Sequence, residues 1–219
     1  MELIKSLFDF ILHIDDYLDI FIRDYGTLTY AILFSIVFVE TGLVVMPLLP
    51  GDSLLFAAGA LAARNPEGLN IWYMIPLLII AALLGDNTNY FIGKYFGGTI
   101  RSREKILFLK RSHLEKTEAY YEKYGGRTVI IARFIPIVRT VAPFVAGAGS
   151  MNYSRYIRFC IIGAILWVAG VSLLGYLLGN IAFVRNNFET VIFGIIFISI
   201  LPMILEILRA RFGKAASSK

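Results

Sequence analysis

Four ionisable residues stand in stretches of this 219-residue chain that are otherwise apolar: Glu40, Asp52, Arg133 and Arg139. Arg133 and Arg139 lie three residues on either side of Pro136. Two guanidinium forks aimed at one break suit a phosphate group, which arginine binds in bidentate fashion while keeping its charge at any working pH. Glu40 and Asp52 flank Pro47 and Pro50 in the same manner. Desolvation favours the neutral carboxyl, so an acid passing between water and a dry cavity can load and release a proton. Asp86, after Gly85, is an accessory candidate; a cap or kink role beside Asn87 or Asn89 reads equally well. Pro50, Gly51, Pro136 and Pro143 shape the breaks. Insertion scales put four such charges at a cost on the order of 10 kcal/mol unless they are paired or wetted. Buried salt bridges that merely fix the segments are the plainer reading, although such pairs are often no more stabilising than apolar replacements.

Other chemistries lack their residues. His13 and His113 fall outside the apolar stretches, and Cys160 is the single cysteine. That removes a His-based phosphatase, a disulfide framework and a His/Cys metal site. There is no Gly-rich phosphate loop with its lysine, hence no sign of ATP drive. No nucleophile–base pair is visible, so the chain reads as a non-enzyme without a cofactor. Trp72 and Trp167 read as interfacial or packing residues, and Cys160, at the start of a buried span, as inert.

These residues must be held by elements that composition already constrains. The chain is 58% hydrophobic and only 17% charged, with a mean hydropathy of +0.70. A soluble domain carries roughly 25% charged residues. A disordered chain is therefore excluded, and a soluble enzyme disfavoured. Crossing a membrane takes about 20 apolar residues. Phe159–Val184 meets this, Thr190–Leu205 nearly so, and Leu69–Leu84 continues toward Gly97. Two further apolar stretches, Leu28–Ala63 and Thr128–Gly149, are broken by the prolines and charges described above. Proline removes a backbone donor and disfavours helix in the residue before it. Each stretch should therefore form two helical pieces of about 10–20 residues, too short in their shorter arms to cross. Re-entrant helical hairpins fit this best; proline-kinked full spans remain the alternative.

The expected architecture is an all-α polytopic membrane protein forming one membrane domain. Residues 1–25 form an interfacial helix, because apolar residues recur at helical spacing among Asp9, Asp15, Asp16 and Asp19. Hairpin one takes 26–63, a span 69–98, a cytoplasmic amphipathic helix 101–126 and hairpin two 127–150. Spans follow at 156–184 and 188–208, with a cytoplasmic tail at 209–219. Fifteen of the 21 basic residues fall on one side, including Lys94, the Arg101–Arg127 stretch and the C-terminal tail. The positive-inside rule makes that side cytoplasmic and places hairpin one on the opposite face. The net charge of +5 is mostly this bias, with Arg101–Arg127 resting on anionic headgroups, so nucleic acid is not an implied partner.

The two broken stretches resemble each other. Pro47-Leu-Leu-Pro50 precedes Ala57-Ala58-Gly59-Ala60, and Pro136-Ile-Val-Arg139 precedes Val145-Ala146-Gly147-Ala148. Each stretch is followed by a span with a Gly-x-x-x-Gly pair: Gly93 with Gly97, and Gly175 with Gly179. Opposed hairpins make the halves inverted-topology repeats, a pattern that points to a transporter site near the midplane.

Several motifs carry a resemblance to a known family. They are Glu40-Thr-Gly42 with Pro47-Leu-Leu-Pro50-Gly51-Asp52, and Gly85-Asp86 with Tyr90-Phe-Ile-Gly93-Lys94. Tyr124-Gly125-Gly126, Arg133-Phe134-Ile-Pro136-Ile-Val-Arg139, Pro143-Phe-Val-Ala-Gly147 and Gly163 with Trp167 complete the set. Together they span about residues 25–180, and the chain resembles the DedA family of bacterial membrane proteins, within the SNARE-associated or VTT-domain superfamily. Cys160 stands where the family commonly has Asn. The resemblance implies opposed re-entrant hairpins and transport of phosphate-bearing lipids across the bacterial plasma membrane. Undecaprenyl phosphate and phosphatidylethanolamine are the implied lipids, with protons as the coupling ion. The family's essential acids match Glu40 and Asp52, and its essential arginines match Arg133 and Arg139. A homodimer is left open. A proton-coupled antiporter of cations or drugs, and a non-transporting envelope scaffold, are the competing readings.

Overall fold

Several helix ends in this chain fall at or beside glycines and prolines. The computed structural model describes residues 26–42, 51–101, 105–106, 109–110, 121, 123–149, 151–181, 184, 190–191 and 194. Helix α1, Thr27–Gly42, follows Gly26, whose φ of +35° suits a residue without Cβ. Helix α2, Gly51–Arg64, has Asp52 in its first turn and Arg64 in its last, each complementing the helix dipole. Helix α3, Ile71–Arg101, runs 31 residues through Pro76 and Gly85. After it come α4, Arg127–Ala132, α5, Pro136–Ala148, and α6, Tyr153–Gly179.

The second broken stretch breaks where proline chemistry requires. Pro136 occupies the first position of α5, and the preceding Ile135 is extended, with φ −116° and ψ 107°. The first piece, α4, is only six residues, shorter than the 10–20 expected, because the turn at Gly125–Gly126 starts it late. The first broken stretch is likewise two helices, α1 and α2, with Pro47 and Pro50 outside the described residues.

One expectation is corrected. Within the segment 101–126, read as one amphipathic helix, Lys105–Ile106 (β1) and Leu109–Lys110 (β2) pair as a small antiparallel ladder. The four successive apolar residues Ile106–Leu109 carry no 3.6-residue stripe, so no helical face is specified there. The expected interfacial helix 1–25, the tail 209–219 and all but residues 190, 191 and 194 of the span 188–208 lie outside the described residues.

Among the described residues, Ile71–Phe96 and Tyr153–Gly179 are long and apolar enough to cross a membrane; α1 and Val138–Ala148 are apolar but shorter. Helix α3 carries exposed aromatics at both ends. Trp72 and Tyr73 lie at one end and Tyr95 and Phe96 at the other, with Tyr73 73% and Tyr95 83% exposed. At a rise of about 1.5 Å per residue the two tyrosines are about 33 Å apart, close to the roughly 30 Å hydrocarbon core. That is the spacing of two interfacial aromatic belts. Asp86 falls between them, well inside the apolar length.

The chain divides into two compact units. Of the described residues, the first takes 26–29, 52–71 and the chain from Val171; the second takes 30–42, Gly51 and the chain from Trp72 to Gly170. In the first unit, α2 crosses the end of α6 on glycine. A Cβ at Gly59 would overlap the Ser172 carbonyl, and one at Gly175 the Phe56 carbonyl. In the second, α5 crosses α3 in the same way, Gly147 against the Tyr90 carbonyl and Gly93 against the Phe144 carbonyl. Each glycine thus sits on the carbonyl three residues before its partner glycine. Small residues of this kind are what let helix backbones approach in lipid, where burial from water gives no drive.

Candidate functional site

The polar residues of the second unit converge from four elements. Near the end of α1, Thr41 Oγ1 donates back to the Val37 carbonyl at 2.8 Å, and Gly42 meets Gly85 of α3 with almost no separation. This close crossing brings Glu40 and Asp86 into the same interior. Arg133 ends α4 at the break, and Arg139 lies in the first turn of α5, its N–H donating to the Ile135 carbonyl at 2.8 Å. Helix α6 contributes Tyr156, Cys160, Gly163 and Trp167, whose spacing keeps them along one side of the helix.

Two buried ion pairs result. Arg139 Nη2 donates to Glu40 Oε1 at 2.6 Å, and Arg133 Nη2 donates to Asp86 Oδ2. All four residues are between 1% and 6% exposed. Trp167 lies against the Arg139 guanidinium at 4.6 Å, a cation–π contact. Arg133 Nη2 also donates to Cys160 Sγ at 3.3 Å, while Cys160 donates to Asp86 Oδ2 at 3.2 Å. Gly163 makes the room: a Cβ there would press on Arg133 Cδ and Nε at 2.8 and 2.9 Å.

Uncharged groups hold the pairs in register. Tyr156 donates its hydroxyl to the Asp86 carbonyl at 3.0 Å. Asn89 Nδ2 donates to the Thr140 carbonyl at 2.8 Å and to the Thr41 carbonyl at 3.4 Å, tying down the residues that follow Arg139 and Glu40. Beside these pairs, the buried atoms Arg133 Nε, Arg133 Nη1 and Asn89 Oδ1 have no hydrogen-bond partner among the described residues. A buried guanidinium with two unused donor nitrogens has the chemistry to meet an anion. Among the described residues no cluster of three or more His, Cys, Asp or Glu side chains could hold a metal ion.

The candidate residues from sequence are therefore placed as follows. Glu40, Arg133 and Arg139 share this interior, and Asp86 is a full partner of Arg133 rather than a cap for Asn87 or Asn89. Gly51, first residue of α2, packs against the Glu40 carboxylate, where a Cβ would collide with it. Asp52 is half-buried in the first turn of α2 and belongs to the other unit. Pro136 starts α5 and Pro143 lies inside it, removing the N–H that would have bonded the Arg139 carbonyl. Pro50 lies outside the described residues. The sequence reads Trp167 as an interfacial or packing residue and Cys160 as inert; in the structure both are buried and touch the arginines. The available signal was their spacing with Gly163, since 160, 163 and 167 fall on one helix face.

Comparison with known proteins bears on the same residues. The VTT domain family matches residues 49–177, which include Asp52, Asp86, Arg133 and Arg139. The chain is 51% identical to Protein DedA of Escherichia coli (strain K12) over 219 residues, the whole of both chains. It is 45% identical to an uncharacterized membrane protein of Mycobacterium leprae over 170 residues, 78% of this chain and 75% of that one. Inner membrane protein YqjA of Escherichia coli (strain K12) is 36% identical over 151 residues, 69% of this chain and 68% of its own. No solved structure matches the chain. A family match over more than half the chain, and full-length identity at this level, make the protein a member of the DedA family of VTT-domain membrane proteins.

Proposed function

We propose that the protein is a membrane lipid transporter that moves phosphate-bearing lipids between leaflets. Undecaprenyl phosphate is the foremost candidate and a phospholipid such as phosphatidylethanolamine the second, with movement dependent on the proton motive force. The observation that carries this reading is the pair of buried arginines flanking the Pro136 break, one with guanidinium nitrogens still unused. A phosphate headgroup would sit at Arg133 and Arg139 while its tail stays in hydrocarbon. Glu40 and Asp52 would carry the protons, shifting the site between two openings by favouring one conformation over the other.

In this reading the two broken helix pairs are re-entrant hairpins on opposed faces. The membrane is the bacterial plasma membrane, and the charge bias supports a cytoplasmic C-terminus. The protein acts as a transporter rather than an enzyme, and it functions as a single chain or a homodimer.

The test uses proteoliposomes carrying labelled polyprenyl phosphate. Arg133→Lys and Arg139→Lys keep the charge and lose the fork, and each should slow flipping by about tenfold or more, equivalent to 1.4 kcal/mol. Wild-type flipping by both folded variants would overturn the phosphate clamp, and indifference to an imposed pH gradient would overturn coupling. Competition by small cations but not by phospholipids would favour an antiporter. Full function after neutralising Glu40, Asp52, Arg133 and Arg139 together would favour a scaffold.

A further inference from the structure

Both candidate phosphate-binding arginines are already occupied, and the way Arg133 is occupied matters. A guanidinium offers two two-donor edges, Nε with Nη2 and Nη1 with Nη2. Nη2 belongs to both. In this protein Nη2 carries both of the Arg133 hydrogen bonds, to Asp86 Oδ2 and to Cys160 Sγ, while Nε and Nη1 have no partner among the described residues. Neither fork can close on a phosphate until Nη2 is released. Arg139 is differently placed, with Trp167 against its face and its Glu40 partner wedged against Gly51.

Charge balance says what would release it. Asp86 with Arg133 is net neutral, and so is Glu40 with Arg139. A phosphate monoester bound as its monoanion would leave this interior with one uncompensated negative charge, which a buried site resists strongly. One proton on the Asp86 carboxylate restores neutrality and removes the acceptor that holds Nη2. We infer that Asp86 is the proton-carrying latch on Arg133, so that a lipid phosphate and one proton enter the site together, the phosphate on the Arg133 fork and the proton on Asp86. This rests on the transporter reading above and adds to it the residue that exchanges partners.

The surroundings of Asp86 suit such an exchange. Arg133 is the one charged side chain bonded to its carboxylate among the described residues; the others facing it on α6 are Cys160 and Tyr156. Tyr156 bonds the Asp86 main chain, not the carboxylate, so the side chain can change state while the backbone stays anchored. On α1, Thr41 and Gly42 meet the adjacent Gly85, and the charged residue of that turn is Glu40, itself paired with Arg139, while Asn89 bonds the α5 main chain at Thr140. Cys160, as donor to Asp86 and acceptor from Arg133, is a weak neutral bridge that either partner can leave cheaply.

The test counts protons and phosphate together on the full chain. Purified protein in phosphatidylcholine nanodiscs, weakly buffered with an indicator dye, is titrated with farnesyl phosphate as a short isoprenyl monophosphate. Wild type should take up about one proton more per phosphate bound than Asp86→Asn, a difference that cancels the ligand's own ionisation. Its infrared difference spectrum should gain a protonated-carboxyl band that moves when aspartate carries carbon-13 and is lost in Asp86→Asn. Asp86→Glu should restore the proton uptake, with the band no longer moving on aspartate labelling. Equal proton uptake by wild type and Asp86→Asn overturns Asp86 as the latch and leaves the transporter reading standing. If Asp86→Asn does not fold, the wild type decides: phosphate binding with no protonated-aspartate band overturns the inference. Folded wild type that binds no farnesyl phosphate overturns the polyprenyl-phosphate form of the transporter reading and the latch with it.

Discussion

The two units share one packing device and differ in what is built around it. In both, a helix from a broken stretch crosses a long helix on a pair of glycines, each set against the carbonyl three residues before the other. Around Gly59 and Gly175 the acidic side chain of the α2 arm is Asp52, half-buried in a first helical turn. Around Gly147 and Gly93 lie two buried ion pairs with Tyr156, Cys160, Asn89 and Trp167 fitted to them. Backbone geometry is repeated and chemistry is not. The shared feature is a backbone crossing, and the two buried arginine–acid pairs lie in the second unit.

The largest test of this contrast removes one acid from each unit. Asp86→Ala strands the Arg133 charge in an apolar interior and should cost about 3–5 kcal/mol, read as a fall in thermal midpoint in detergent. Asp52→Ala, at a half-buried acid within reach of water, should cost less than that. Equal losses would mean that depth of burial does not set the two acids apart. Next in size are the glycines. Gly59→Ala and Gly147→Ala each force a methyl onto a backbone carbonyl and should cost about 1–3 kcal/mol apiece. Gly170 is the control, with nothing within 4 Å of a Cβ, and its change to Ala should gain up to about 1 kcal/mol through helix propensity. A large loss at Gly147 with none at Gly59 would dissolve the shared device. The last test concerns the fully buried Trp167, where Trp167→Leu should lose about 0.5–2 kcal/mol of cation–π stabilisation at Arg139 together with the cost of the void left by the smaller side chain.

Much of the helical layout was legible in the chain. Proline chemistry announced the break before Pro136, glycine and Asp52 the start of α2, and apolar length the two long helices. The ladder at 105–110 was not, because an unbroken apolar run carries no periodicity to separate strand from helix. The charged residues were legible as exceptions but their partners were not. Asp86 read as an accessory because its sequence neighbours are Asn87 and Asn89, whereas its true neighbour lies 47 positions away.

Sequence alone determined the class of the protein, since a shortage of charge and long apolar runs are compositional facts. It also determined the break before Pro136, since proline constrains its own backbone and the residue before it, whereas Pro76 and Pro143 stand inside helices. Only the tertiary structure decided which acid holds which arginine. Glu40 meets Arg139 across 99 positions, and Asp86 meets Arg133 across 47, because α1 and α3 close on Gly42 and Gly85 while α3 and α5 close on Gly93 and Gly147. Helices apolar on every side do not declare in sequence which face they will bury. The glycines set those faces, and the faces set the pairs.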